Sequence, residues 1–109
     1  RDWPFYHWWP KNNSWEWIQY SFESEATVSS TKVYWFDDGP FGGCRIPEKW
    51  EIEYRSGSSW KPVNVKGDYT ITKDSWNAVQ FEPVKTAALR LKVKLPEKFS
   101  AGVHEWVVE

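Results

Sequence analysis

The chain has 109 residues, enough for one domain with a single core and too few for a catalytic domain plus a second module. Its 14 basic and 15 acidic side chains give a net charge of -1, so no long-range field draws it to nucleic acid or to an anionic membrane. No apolar run approaches the roughly 18 residues that a membrane-crossing helix needs, and mean hydropathy is -0.71.

Ten tryptophans, five tyrosines and six phenylalanines stand in a sequence without methionine. So many rings cannot all be core. Indole has a flat apolar face and one N–H donor, so it serves as core filler or as a platform for another flat, amphipathic molecule. A start at Arg1 without methionine suggests a segment of a longer or processed protein. The lone Cys44 excludes an internal disulfide and any multi-cysteine metal site and leaves the redox compartment open. Asn12-Asn13-Ser14 is a glycosylation sequon whose use depends on the source.

In chain order, residues 1–14 contain Pro4 and Pro10, have no period, and crowd Trp3, Phe5, Tyr6, His7, Trp8 and Trp9 together. A disordered tail would be poor in such rings, so an ordered aromatic loop is expected. Alternation over 15–22, with Ile18, Tyr20 and Phe22 on one face, predicts a half-buried strand. A polar connection at 23–26 leads to a second strand over 27–36, rich in β-branched and aromatic residues, with Val28, Val33 and Trp35 inward. From Tyr34 to Tyr54 the chain passes to another alternating strand, Trp50, Ile52 and Tyr54 against Glu51, Glu53 and Arg55. The loop between holds Asp37, Asp38, Phe41, Cys44 and Arg45, a dense set of recognition chemistry for one connection.

Ser56-Gly57-Ser58-Ser59 signals a turn, and 60–65 with Pro62 inside predicts a short edge strand. Short strands follow at 69–72 and 76–81. The cleanest alternation sets Leu89, Leu91, Val93 and Leu95 against Arg90, Lys92 and Lys94, with one face core and the other water; the basic row therefore reads as a solvated face. A loop at 96–102 precedes a closing strand at 103–108. Trp15, Trp35, Trp50 and Trp106 read as core, His104 as an ordinary strand histidine, and Cys44 as a small buried hydrophobe. About eight short strands, with no helical period, no internal repeat and no linker, define an all-β sandwich or barrel.

Several segments resemble the discoidin domains, also called coagulation factor V/VIII C-type domains, which include the family 32 carbohydrate-binding modules. They are EWIQYSF at 16–22, VSSTKVYWFDD at 28–38, WEIEYRSGSSWKPV at 50–63, AALRLKV at 87–93 and the closing GVHEWVVE. Their order and spacing cover most of residues 15–109. HWWP at 7–10, VYWFDD and GGCRIP look more narrowly like the module at the C-terminus of bacterial glycoside hydrolases such as the β-L-arabinofuranosidase family. The resemblance implies one galactose-binding-domain-like jelly roll of two antiparallel sheets over 1–109, with sugar bound among the loops at one end. It further implies a secreted parent enzyme, extracellular or periplasmic. Family members often hold a structural calcium through an Asp-Gly loop near their start; Glu105 occupies the place of their last acidic residue, but one carboxylate cannot supply the six or more oxygens calcium takes. No cofactor is otherwise expected.

Sugar recognition needs an aromatic face against the C–H side of a pyranose and a few rigid polar groups for its hydroxyls. His7, Trp8, Trp9, Asp37, Asp38, Phe41 and Arg45 supply both kinds of group and form the expected carbohydrate site, with a galactoside- or arabinoside-containing glycan as partner and the parent catalytic domain as neighbour. The bland alternative packs Trp8 and Trp9 under the loop and pairs Asp37 or Asp38 with Arg45. Enzyme chemistry has little support. A glycosidase needs two carboxylates at a fixed separation, whereas adjacent Asp37 and Asp38 diverge on an extended backbone; His7 and His104 lie in no nucleophile motif. Three readings stay open: a non-catalytic carbohydrate-binding module, a structural domain that packs on a catalytic domain through HWWP, and an adhesion module for protein or lipid.

Overall fold

The computed structural model describes residues 6–9, 11–37, 39–40 and 42–109. Seven strands occur among them, β1 (Tyr6–His7), β2 (Trp15–Phe36), β3 (Lys49–Ser56), β4 (Ser59–Pro62), β5 (Val65–Lys66), β6 (Trp76–Lys94) and β7 (Gly102–Val108). All pairings between them are antiparallel.

Two long strands organise the sandwich. β2 and β6 pair over Trp15–Ser21 against Lys94–Ala88, and again over Ala26–Tyr34 against Thr86–Trp76. The register shifts between these ladders, at Ser21/Ala26, and again within the second, at Val28/Ser30. Such bulges bend a strand and raise its twist, so each long strand leaves one sheet and enters the other. The seven strands are hydrogen-bonded in one continuous order, β1–β7–β2–β6–β3–β4 with β5 on β6; the β2–β6–β3–β4 layer of the sandwich runs through the first ladder and the β1–β7–β2–β6 layer through the second.

The expected strands at 15–22 and 27–36 are therefore one, as are those at 76–81 and 89–95. The polar run at 23–26 looks like a connection in sequence because Glu23, Ser24 and Glu25 are exposed at the bend. Residues 69–72, expected as a strand, join no ladder; their backbone serves side chains instead. Thr70 O accepts from Trp50 Nε1 at 2.7 Å. Buried Asn77 donates to Thr72 O and Ser75 O at 2.9 and 3.1 Å, and its Oδ1 accepts from Thr70 Oγ1 and Thr72 N at 2.8 and 2.7 Å.

The core follows the period-two pattern. Leu89, Leu91 and Val93 are wholly buried from β6, opposite Tyr54, Ile52 and Trp50 of β3. Trp35 and Trp50 meet edge to face at 5.6 Å between ring centroids, and Tyr69 lies against Trp50 at 4.8 Å. The Tyr69 hydroxyl accepts from Ile52 N at 3.0 Å. Burial raises the pKa of that hydroxyl, helped by nearby Glu51 and Glu53 and opposed by the Ile52 bond. Thr31 Oγ1 accepts from Trp106 Nε1 at 2.6 Å and donates to Val107 O at 2.7 Å, tying β7 to β2. At the β3–β4 hairpin, Gly57 has φ +63 as the first central residue of a two-residue turn, where only glycine is at ease.

Trp15 departs from expectation. It is 41% exposed, because β2 turns its Trp15, Trp17 and Gln19 set outward and its Ile18 and Phe22 set toward the core. Tyr20 is also exposed, resting on Phe22 and Trp106.

Candidate functional site

β2 ends at Phe36, and Asp37 opens the loop that follows. Its Oδ1 accepts from Gly39 N at 3.0 Å and its Oδ2 from Ile46 N at 3.2 Å, while Lys73 Nζ lies 3.7 Å away. The carboxylate thus staples both ends of the loop together. Its side chain is 6% exposed, so Asp37 holds the loop's shape and does not face solvent as a recognition group.

The return of the loop is zipped to two other segments. Cys44 bridges Ser100 in parallel, with Ser100 N donating to Gly43 O at 2.8 Å and Arg45 N to Ser100 O at 2.9 Å. On the other side, His7 pairs with Gly102 and Trp8 N donates to Ala101 O at 3.0 Å. The buried Cys44 thiol lies 3.8 Å from Ala101 O. The backbone at 99–102 is therefore the spine that brings the HWWP segment and the Arg45 loop to one end of the sandwich.

On that spine the two adjacent indoles have opposite fates. Trp8 is 6% exposed and belongs to the core cluster; it is removed from the expected platform because β1 pairing turns it inward. Trp9 is 58% exposed. Its ring edge lies on Gly43, where an added Cβ would stand 2.4 Å from Nε1 and 2.5 Å from Cδ1. Here glycine supplies close approach.

Arg45 is held flat. Its Nη1 donates to Gly42 O at 2.7 Å and Cys44 O at 2.9 Å, and its guanidinium carbon is 4.3 Å from the Phe99 ring centroid. A Cβ on Gly39 would fall 2.7 Å from that carbon. Charge-assisted bonds to two carbonyls and stacking on a ring make Arg45 the clamp of the loop.

The surface so built carries Trp9 and Phe99, the latter 41% exposed, beside the Arg45 loop, with exposed His7 on β1. Asp38 and Phe41, also expected in the site, lie outside the described residues. Phe99 was not foreseen; a large ring inside the polar 96–102 loop was the signal for it. Among the described residues no three His, Cys, Asp or Glu side chains gather as a metal site, and Glu105 is exposed on β7.

No family model matches the chain. Among solved structures the fold is similar to one from the β-galactosidase BgaA of Streptococcus pneumoniae, at 20% identity and a TM-score of 0.83 over 95% of this chain and 74% of that one. It is also similar to a chitosan-binding module from a chitosanase/glucanase of a Paenibacillus species, at 17% identity and TM-score 0.64, covering 88% of this chain and 69% of that one. A pectin-binding carbohydrate-binding module matches at 18% identity and TM-score 0.60, over 85% and 65%. The chain is a β-sandwich with the fold of carbohydrate-binding modules.

Proposed function

We propose that the chain is a non-catalytic carbohydrate-binding accessory module, of discoidin type, in a secreted bacterial glycoside hydrolase. It works outside the cytoplasm, holding a parent catalytic domain near galactoside- or arabinoside-containing glycans. The observation that carries this reading is the exposed Trp9 ring seated on Gly43 beside Phe99 and the clamped Arg45 loop. Fold neighbours that are themselves carbohydrate-binding modules support it.

In this reading the C–H face of a sugar lies on Trp9 or Phe99, and backbone groups of the stapled loop meet its hydroxyls. The loop is pre-organised by Asp37 and Arg45, so binding orders few side chains. A site of two rings is small, and dissociation constants on the order of 1 mM for a disaccharide, about 4 kcal/mol, are expected.

Titration calorimetry against galactose- and arabinose-containing oligosaccharides tests the proposal. Heat that disappears in Trp9→Ala and Phe99→Ala, with unchanged melting, is the expected result. A panel without heat, together with tight association of the isolated chain with a separately produced catalytic domain, would replace this reading by a purely structural one.

A further inference from the structure

The outer face of the β2–β6–β3–β4 sheet carries a second set of exposed rings. Residues two apart on a strand share a face about 7 Å apart, and Trp15 and Trp17 of β2 do so at 41% and 50% exposure. Facing them across the ladders stand Lys94, Lys92 and Arg90 of β6, then Lys49, Glu51 and Glu53 of β3. Trp60 lies on β4, opposite Arg55.

Cations join these rings into one strip. The Arg90 guanidinium carbon is 4.3 Å from the Trp17 centroid and 4.1 Å from the Trp60 centroid. Lys92 and Lys49 lie 5.2 and 5.8 Å from the Trp15 centroid. Arg90 is therefore sandwiched between two indoles. Its Nε is buried without a hydrogen-bond partner, and its ion pair with Glu53 is long, at 3.9 Å. A guanidinium has five N–H donors, and the long contact to Glu53 is the ion pair that Arg90 makes among the described residues.

Part of the charge on the strip is matched. Lys92 is 3.7 Å from Glu51 and 3.5 Å from Glu53, and Lys94 is 3.7 Å from Glu48. The five cations named on the strip exceed its three glutamates by two, but the ion pairs of Lys92 and Lys94 leave an anionic polymer less to gain there. Flat apolar rings alternating with planar donors and carboxylate acceptors suit instead a neutral, hydroxyl-rich chain lying flat on the sheet.

We infer that Trp15, Trp17, Trp60 and Arg90 form a second glycan-binding surface, for an extended neutral polysaccharide laid across the sheet. It takes the ligand class of the end-loop reading but shares none of its residues, so the two stand or fall separately. The aromatic rings hold sugar C–H faces, and Arg90 with the paired glutamates addresses the hydroxyls.

Native electrophoresis of the 109-residue chain through gels containing hydroxyethylcellulose, xylan, galactan, arabinan or polygalacturonate tests this. Retardation by at least one neutral polymer is expected, weakened about tenfold in Trp17→Ala and in Trp60→Ala and partly restored in Trp17→Tyr. Trp9→Ala should leave that retardation in place while abolishing disaccharide heat. Far-ultraviolet dichroism confirms folding of each variant, and Trp17→Tyr keeps the test readable if an alanine variant unfolds. The inference is overturned by absence of retardation in every neutral gel, or by retardation in polygalacturonate alone. Retardation lost with Trp9 but kept without Trp17 also overturns it, as does a dimer in sedimentation that Trp17→Ala dissociates, which would make the face an interface between copies.

Discussion

Replacing Gly43 by alanine would place a methyl carbon 2.4 Å from Trp9 Nε1 and 2.5 Å from Cδ1, well inside van der Waals contact. Gly43 is not among the glycines with positive φ, so the backbone accepts alanine and the conflict is one of space alone. The indole must swing off the loop. Because Trp9 is already 58% exposed, the fold should lose only about 0.5 kcal/mol, the range of surface substitutions. Binding should suffer more, since a displaced platform forfeits about 1–2 kcal/mol of stacking, roughly a 5- to 30-fold weaker affinity. Calorimetry with the best disaccharide, paired with thermal melting, measures both quantities. Gly57→Ala is the contrasting control: nothing lies within 4 Å of its added Cβ, yet φ is +63, so it should lower the melting temperature and spare affinity. Unchanged affinity in Gly43→Ala would refute the claim that the seat of Trp9 makes the platform.

Asn77→Ala removes four hydrogen bonds from a residue 1% exposed; urea titration should show a loss of about 2–4 kcal/mol with an unchanged slope. Trp35 Nε1 is buried without a partner whereas Trp50 Nε1 is bonded, so Trp50→Phe should cost about 1 kcal/mol more than Trp35→Phe in the same assay. The Tyr69 pKa is raised above its ordinary 10.0. The folded state therefore keeps this proton longer than the unfolded state, and the stability it contributes is full below pH 10 and falls as pH rises toward the folded pKa. Denaturation followed from pH 8 to 11 should show that decline, and Tyr69→Phe should flatten it.

Much of the architecture was legible because alternation is a strong signal where one face is wholly dry. Leu89, Leu91, Val93 and Leu95 are all at 0% exposure, and Trp35 and Trp50 fall in the core where their strands predict. Alternation does not say which phase points inward when both faces carry rings. That is why Trp15 was misplaced, with Trp17 beside it on the open face. The same ambiguity hides the difference between Trp8 and Trp9, settled only by the pairing of Trp8 N with Ala101 O. Composition singled out the 37–45 loop as a candidate for recognition but not the tasks within it. Asp37 and Arg45 are chemically suited to sugar hydroxyls, yet each has two hydrogen bonds to backbone groups of its own loop. Their contribution is to stiffness. Arg90 and Lys92 read as solvated charges, because spacing along β6 says nothing of the indoles that β2 and β4 bring beside them.

The bend in β2 has a practical use. Ser21 pairs with Ala88 and Ala26 with Thr86, so the residues between the two ladders, including exposed Glu23, Ser24 and Glu25, lie outside both registers. Extra residues spliced in at Ser24 would lengthen the corner without sliding either ladder, seven residues along β2 from Trp17 and thirteen before Asp37. A fluorophore-bearing tag or a second module placed there would report on, or be delivered by, a sandwich whose two proposed ligand surfaces it leaves untouched.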